Sequence, residues 1–322
     1  MKASIVISAI AMDLADEKSL PPGLQAPDES LGDFSLIRLD RGAFEAHRKR
    51  ERQRHTPVSF RMSQLVTKLL SNAALSKEAA AGAATGLVSG SRYGCSIVFD
   101  MHRRLARYGP KGIDAIRFAQ ATHNYPVSCC AIEFGFKGPC TAMVSSRAAG
   151  MEAFQCACDW LLDRRCDRVV VTAFEDFGSP VDDHIRRTAT QSGPVFEAMV
   201  CLMLERKELA EARGLTALAD LTGTAILNRV SGNCGSVGKR LFGRDLPEFG
   251  FAVSRSPADF RDRCNPASSL DAGECIGASG LVELAQLLGG GSLLQDKTTP
   301  RHWMVGACDP LTGGIAAGIR LH

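Results

Sequence analysis

The side chains best suited to nucleophilic or metal chemistry are the cysteines, serines and histidines, and few of them stand in a catalytic pattern. The twelve cysteines form no CxxC pair and no zinc-type spacing. Most lie in apolar stretches, where cysteine usually acts as a small buried hydrophobe. Asp182, Asp183 and His184 are adjacent, and adjacent residues rarely supply a complete ligand set. We therefore predict reduced cysteines, a cytoplasmic protein and no bound metal.

Several single residues are candidates for a nucleophile or its base. Ser145 and Ser146 precede a predicted sharp turn, Cys140 begins the strand before it, and Cys308 lies near the carboxy terminus. His123 is the only histidine close in sequence to a helix that would form a pocket. No spacing supports a pair between Cys308 and a histidine. A nucleophile of unusual type therefore stays an open alternative.

Composition and charge exclude several classes of protein. Apolar residues make up 45% of the 322 residues, charged residues 23%, and the net charge is +3. No apolar run approaches the roughly 18 residues of a membrane helix, and the mild charge does not indicate nucleic-acid binding. The amino-terminal MKASIVISAI has the pattern of a first strand rather than of a secretory signal. No phosphate-binding loop or dinucleotide fingerprint is present, so no cofactor is expected.

A basic run extends from His47 to His55. It is typical of a solvated helix face or a surface loop. It would equally suit a docking patch for an acidic partner. The sequence leaves both interpretations open.

The elements that must position the candidate residues alternate between strands and helices. The pattern CTAMVSS predicts a strand at 140–146, which turns at Arg147 into a helix that opens with three small residues, Ala148, Ala149 and Gly150. Further strands are predicted at 3–11, 84–89 and 167–176, and helical regions at 61–77 and 111–132.

A second copy of this pattern lies about 130 residues further along the chain. A glycine-rich segment leads into Ala278, Ser279 and Gly280 at the start of a helix, followed by a strand at 303–308. Small residues at a helix start allow close packing against a neighbouring backbone. We therefore expect two related halves, 1–192 and 193–322, with helices covering mixed or parallel sheets.

The stretch from 134 to 171 resembles the β-ketoacyl synthases, which are condensing enzymes. Gly138-Pro139, Gly150, Ala157 and Asp167 stand at the spacings of that family without a gap. The segments RMSQLVTKLLSNAAL, TGLVSGSRYG, AMVCLMLERKELAEARG and GECIGASG are similar to further segments of the family in the same order.

The resemblance implies a thiolase-like α/β fold, with two related halves in five αβαβα layers. It also implies a dimer through the strand before the nucleophile, here Cys140, Thr141, Ala142, Met143, Val144, Ser145 and Ser146. The family's partner is the acidic acyl carrier protein, which favours the docking interpretation of the basic run.

The sequence departs from the family at the residues that carry its chemistry. The nucleophilic Cys position is Arg147, the His position in the carboxy half is Glu274, and the family's Lys falls at Ser269. The second His is not found, and the glycine-rich loop at 307–314 lacks its aromatic gate. A guanidinium stays protonated and cannot act as a nucleophile. Arg147 and Glu274 are expected to face each other in the pocket, as a pair that fills and neutralises it.

These departures predict a ketosynthase-like subunit without condensing activity of its own. It would pair with an active ketosynthase in a type II polyketide or fatty-acid system and shape the acyl-chain tunnel, as chain-length factors do. One alternative is an acyltransferase or decarboxylase that uses an unidentified nucleophile. Another is a homodimeric scaffold or ligand-binding protein.

Overall fold

The fold comes from a computed structural model that describes most of the chain. The described residues are 4–15, 34–50, 55–188, 193–227, 234–242, 250–254, 268–269, 275–289, 300–309 and 313–322. The strands are β1 (Ile5–Leu14), β2 (Phe34–Ile37), β3 (Thr85–Ser91), β4 (Cys140–Val144), β5 (Arg168–Phe174), β6 (Gly193–Phe196), β7 (Ala198–Arg206), β8 (Ala219–Leu227), β9 (Gly250–Ser254), β10 (Ser268–Ser269), β11 (His302–Asp309) and β12 (Gly313–Leu321).

The helices cover both faces of the sheet and one helix pair lies between its two halves. They are α1 (Gly42–Arg50), α2 (Pro57–Asn72), α3 (Lys77–Ala80), α4 (Ser96–Tyr108), α5 (Ala115–Gln120), α6 (Tyr125–Phe134), α7 (Ala149–Leu162), α8 (Ser179–Thr188), α9 (Lys207–Ala212), α10 (Cys234–Phe242) and α11 (Ser279–Gly289). Within the described part of the chain, no helix combines the length and apolarity that a bilayer crossing requires.

Local capping sets helix boundaries that periodicity alone misplaced. The helix predicted at 61–77 begins at Pro57, because Thr56 and Ser59 form a capping box at its start. The helical region predicted at 111–132 is broken into a 3₁₀ turn, α5 and α6. Asp114 caps α5, and Pro126 stands in the first turn of α6, where its missing N–H costs nothing.

The strand order confirms two related halves. The first five main strands lie side by side as β4-β3-β5-β7-β1, and the last five as β10-β9-β11-β12-β8. In the first set β3 is parallel to its neighbours β4 and β5, and β7 is antiparallel to its neighbours β5 and β1. In the second set β9 is likewise parallel to β10 and β11, and β12 is antiparallel to β11 and β8. The sets join where β1 pairs with β8. The strand β7 belongs to the first set and β8 to the second, and the division expected at 192/193 stays a prediction.

The five expected layers are present. The helices α2 and α6 cover one face of the first strand set, and α10 covers the far face of the second. The helices α7 and α11 lie between the sets and contact strands of both. Strand alternation explains how β5 serves two layers: Val169 and Val171 face the central helices, while Val170 faces α2 and α6.

Small residues allow the central helices to approach the sheet and each other. A Cβ on Gly90 of β3 would lie 2.2 Å from the carbonyl oxygen of Ala149, at the start of α7. A Cβ on Gly150 would lie 2.9 Å from the carbonyl oxygen of Gly277, and one on Gly280 would lie 2.7 Å from the Met151 side chain. The two small-residue helix starts noted in the sequence therefore pack against each other.

The contact at Gly90 gives a stability prediction. Gly90→Ala should lower the free energy of unfolding by at least about 2 kcal/mol, because the clash is with backbone that cannot rotate away. Gly289→Ala is the matched control, since its Cβ would meet only the end of the Ile10 side chain at 3.3 Å. Urea unfolding of both variants measures the difference. If both variants lost the same small amount of unfolding free energy, the close approach of Gly90 to α7 would be contradicted.

Candidate functional site

The candidate site lies where the parallel strands end. The strands β3, β4 and β5 are parallel, so their carboxyl ends meet at one edge of the sheet. The strand predicted at 140–146 ends at Val144, and residues 145–148, which we call the elbow, lead into α7. The turn after β3, the residues after β5, the end of β11 and the 3₁₀ turn Ile276–Ala278 lie around the elbow.

The two serines of the elbow hold its shape. The hydroxyls of Ser145 and Ser146 both donate hydrogen bonds to the carboxylate of Glu152, in the first turn of α7. Ser146 Oγ also accepts a hydrogen bond from the Ala148 N–H at 3.0 Å. The carboxylate therefore ties both hydroxyls to the helix start, which fixes the turn.

Arg147 stands at the centre of the elbow, and its backbone N–H faces a carboxylate. The Arg147 N–H donates to Asp309 Oδ2 at 3.3 Å. Asp309 is buried at the end of β11 and also accepts from the Arg92 guanidinium at 3.2 Å. A backbone N–H at a turn into a helix is the type of donor that stabilises an oxyanion in acyl transfer. At this elbow that donor is bonded to the chain's own anion.

Cys308 faces away from the elbow. Alternation along β11 places it in the apolar cluster beneath α10, on the opposite face from Asp309. Burial, with the nearby charges of Asp309 and Glu283, raises the pKa of the Cys308 thiol to about 12. At neutral pH it is a thiol, not the thiolate that acts as a nucleophile.

His123 supports the turn after β3. Its Nδ1 accepts a hydrogen bond from the Cys95 N–H at 3.2 Å, which places the ring proton on Nε2. The ring lies against Gly94, where a Cβ would come within 2.1 Å of His123 Nδ1. The positive φ of Gly94, 66°, also favours glycine at this position. Burial, together with nearby His102, lowers the pKa of His123. The structure does not bring His123 and Cys308 together.

Glu175, after β5, joins the two halves. Its Oε1 accepts from the N–H groups of Arg92 at 2.6 Å and Gly277 at 3.1 Å. Its Oε2 accepts from the Tyr93 N–H at 3.4 Å and from Ser91 Oγ at 3.3 Å. Burial raises the pKa of Glu175 to about 8, although these four hydrogen bonds act in the opposite direction.

A second buried network lies next to Glu175. The Arg41 guanidinium donates to Asp176 at 3.2 Å and to Glu197 at 3.1 Å. Glu197 also accepts from the Leu39 N–H at 2.9 Å, and Asp176 accepts from the Ser96 N–H at 2.8 Å. Burial, and then the neighbouring Asp176, raise the pKa of Glu197.

A cavity of about 300 Å³ opens beside this network, between the end of β1 and the helices α1 and α2. Its wall combines the Arg41 network with the aromatic rings of Phe44 and Phe60. Its volume is at the lower end of the range for small-molecule sites.

Two expected pocket residues are not placed by the structure. Glu274 lies outside the described residues, so its contact with Arg147 stays a prediction. Ser269 is on β10, and its side chain is outside the described part of the chain. Among the described residues, no group of three His, Cys, Asp or Glu side chains could hold a metal ion. Asp182 pairs with Arg38, and the His184 ring packs on Tyr93.

Sequence reasoning missed the residues that do most to hold this site together. Glu175 and Asp176 were visible as the acidic end of a buried strand, DRVVVTAFED, which is an unusual place for two carboxylates. Arg92 and Glu197 gave no comparable signal, because most of their partners are 83 to 217 positions away in the chain and only the fold brings them together.

Glu175 gives a prediction about pH. Its pKa is about 8 in the folded protein against an ordinary value of 4.5, so the folded protein keeps a proton that the unfolded chain releases. The stabilisation is complete below pH 4.5 and is lost as the pH rises through about 8. Between these two values the unfolding free energy of the wild type should fall with pH, and Glu175→Gln should reduce this fall by up to about 1.4 kcal/mol per pH unit.

Urea unfolding at several pH values between about 5 and 8 measures this slope. Glu211→Gln, which changes an exposed carboxyl, is the matched control. Parallel slopes for the wild type and both variants would mean that Glu175 does not hold its proton.

Comparison with known proteins supports this architecture. Residues 28–184 match the family model described as beta-ketoacyl synthase, N-terminal domain. No curated protein gave a significant match to the chain.

Several solved structures share the fold over the full length. A chain of AntDE:AntF, a type II PKS acyl-carrier protein in complex with its ketosynthase bound to the hexaketide, has a TM-score of 0.80 at 16% identity, covering 100% of both chains. The ishigamide ketosynthase/chain length factor has a TM-score of 0.69 at 19% identity, covering 99% of both. The oxazolomycin ketosynthase domain OzmH KS7 of Streptomyces albus JA3453 has a TM-score of 0.74 at 16% identity, covering 99% of this chain and 75% of that one. The chain therefore has the thiolase-like ketosynthase fold.

Proposed function

We propose that this chain is a non-catalytic ketosynthase-like subunit of a type II polyketide or fatty-acid system, which pairs with an active ketosynthase and shapes its acyl-chain tunnel. The observation that carries the proposal is the bond from the Arg147 N–H to the Asp309 carboxylate. The family's nucleophile is replaced by arginine at that position, and the adjacent oxyanion donor is bonded within the chain.

The chemistry of condensation explains why these two features matter. A thiolate must hold the acyl chain as a thioester, and N–H donors must stabilise the oxyanion that forms when the thioester is attacked. A guanidinium cannot form the thioester. A fixed carboxylate at the donor would repel a developing oxyanion.

The edge strand β4 supports pairing with another subunit. It is the last strand on its side of the sheet and pairs only with β3 among the described strands. All five of its residues are at least partly exposed, and Val144 is 41% exposed. An unpaired edge with apolar side chains is a template for strand pairing. The ishigamide structure, a ketosynthase/chain length factor, is a precedent for a partner of this kind.

An acyl carrier protein is the second proposed partner. The AntDE:AntF structure contains such a protein with its ketosynthase. The basic run between His47 and His55 is the proposed docking patch, although residues 51–54 lie outside the described residues. Both of its described histidines pack near the Phe60 ring.

The two alternatives make different chemical predictions. An acyltransferase, or a decarboxylase that uses a nucleophile, would form a covalent acyl intermediate, and the buried Cys308 thiol is poorly suited to form one. A homodimeric scaffold or ligand-binding protein would use the cavity next to Arg41. Incubation with acyl or malonyl carrier protein, followed by intact mass, separates them, because only the enzyme would carry an adduct.

Restoring the nucleophile should not restore condensation. Arg147→Cys is expected to form no carbon–carbon bond, because the family's histidines are absent from the matching positions and Asp309 still faces the elbow N–H. Product analysis with acyl and malonyl carrier proteins measures this, with Arg147→Ser as the control. Condensation by the single variant would show that the oxyanion donors lie elsewhere.

A charge on β4 should separate the subunits. The wild type is expected to sediment as a dimer at micromolar concentration, and Met143→Lys as a monomer, because the lysine would be desolvated in the interface. Ile226→Lys is the control, since Ile226 is 57% exposed on β8, away from the sheet edge. A wild-type chain that sediments as a well-behaved monomer would contradict pairing through β4.

A further inference from the structure

The cavity beside the Arg41 network has more acidic than basic side chains in its wall. The wall forms where the end of β1, the helices α1 and α2 and the residues after β5 and β6 come together. The carboxyl groups that line it are those of Asp13, Asp40, Glu175, Asp176 and Glu197, and the guanidinium groups are those of Arg41 and Arg61. This balance of charge favours a positively charged occupant.

A single arginine in this wall is shared by two buried carboxylates. Arg41 donates from the same nitrogen to Asp176 at 3.2 Å and to Glu197 at 3.1 Å, and both acids are buried. Arg38 also lies near Glu197, but it is paired with Asp182. Burial and Asp176 raise the pKa of Glu197, although Arg41 acts in the opposite direction. The two wall acids together therefore lack one positive charge.

A further carboxylate lies at the exposed side of the cavity. The Arg61 guanidinium pairs with Asp13, which balances these two charges. Asp40 is exposed, and its carboxylate accepts a hydrogen bond from the Gly42 N–H at 3.0 Å. Among the described residues, no cation pairs with the Asp40 carboxylate. A ligand that enters from this side therefore meets a second acid before it reaches the buried pair.

Aromatic and aliphatic side chains complete the wall. The ring centroids of Phe44 and Phe60 are 5.9 Å apart, and the His47 ring stacks on Phe60 at 4.6 Å. Leu14 and Met199 add aliphatic surface. The faces of aromatic rings attract cations, and apolar surface favours a ligand with a hydrocarbon body.

We propose that this cavity binds a small organic cation with an apolar body, of the arylalkylamine type. The ammonium group contacts the carboxylates of Asp176 and Glu197, and the hydrocarbon body packs against the rings of Phe44 and Phe60. The volume of about 300 Å³ is sufficient for a molecule of this size. The inference depends on the cavity alone and does not require pairing through β4.

Two ligands of similar shape and opposite charge test the sign of the site. Phenylbutylamine and phenylbutyrate have the same ring and linker, but at neutral pH one is a cation and the other an anion. The amine should bind the full-length protein at least about tenfold more tightly, because the acids of the wall attract one and repel the other. This difference should shrink at about 0.5 M salt. Isothermal titration calorimetry measures both dissociation constants.

Three results of this titration would overturn the proposal. They are equal affinities for the two ligands, tighter binding of the carboxylate, and no binding of the amine up to about 10 mM.

A charge added at the cavity wall shows whether the amine binds there. Gln64 is exposed on α2 and lines the cavity. Gln64→Lys should weaken amine binding about fivefold, because the added ammonium repels the ligand, and should not weaken binding of the carboxylate. Asp40→Asn should weaken the amine about threefold, while its amide oxygen can still accept from the Gly42 N–H.

The matched control for Gln64→Lys is Ser71→Lys. It adds the same charge at an exposed position about two turns further along α2 and should leave both affinities unchanged. Equal weakening by the two lysine variants would mean that the amine responds only to net charge. An unchanged affinity in Gln64→Lys would mean that the amine binds elsewhere. Either result would overturn the cation site.

The cation site and the proposed function fail in different experiments. Sedimentation of the wild type and of Met143→Lys measures pairing, and neither requires an occupied cavity. A chain that dimerises but binds no amine would overturn the cation site alone. A monomeric chain that binds the amine, with the loss in Gln64→Lys, would keep the cation site and overturn the pairing.

Discussion

The fold depends on one close approach, where the starts of α7 and α11 meet between the two strand sets. A Cβ at Gly150 would overlap the 3₁₀ turn that precedes α11, and a Cβ at Gly280 would overlap Met151 of α7. A Cβ at Gly90 would overlap the first turn of α7. Because these positions are glycines without a side chain, the two five-strand sets can share one central helical layer. The apolar residues of both sets then pack in a single cluster, which includes Val171 on one side and Val305 on the other.

The same close approach buries backbone N–H groups, and buried acidic side chains accept hydrogen bonds from them. Helix starts and strand ends leave N–H groups without partners inside the protein, and each must be bonded to avoid a desolvation cost. Glu175 accepts from N–H groups of both halves, and Asp309 of the second half accepts from the Arg147 N–H of the first. Acidic side chains suit this junction, because their oxygens can accept several hydrogen bonds at once.

Much of the fold could be predicted from the sequence, because its signals are local. The run VVVTAF indicates a strand buried on both faces, and the small residues at 148–150 and 278–280 indicate two equivalent helix starts. The periodic pattern was less accurate for helix ends. A capping box starts α2 at Pro57 instead of the predicted 61, and the region 111–132 is divided into a 3₁₀ turn and two helices. The site was harder, since Arg92, Arg147 and Asp309 meet from positions as far as 217 residues apart. Local patterns carry no record of such contacts.

The contact between Arg147 and Asp309 connects this architecture to the proposed role. In an acyl-transferring elbow, the N–H after the strand must be open to substrate, which leaves an unpaired donor in a nearly dry site. Here an internal carboxylate satisfies that donor, and Arg92 neutralises the carboxylate in turn. In the proposed role, this bond takes the place of an oxyanion site. What remains is the exposed edge strand β4, and in the proposed subunit we expect this surface rather than the pocket to carry the specificity.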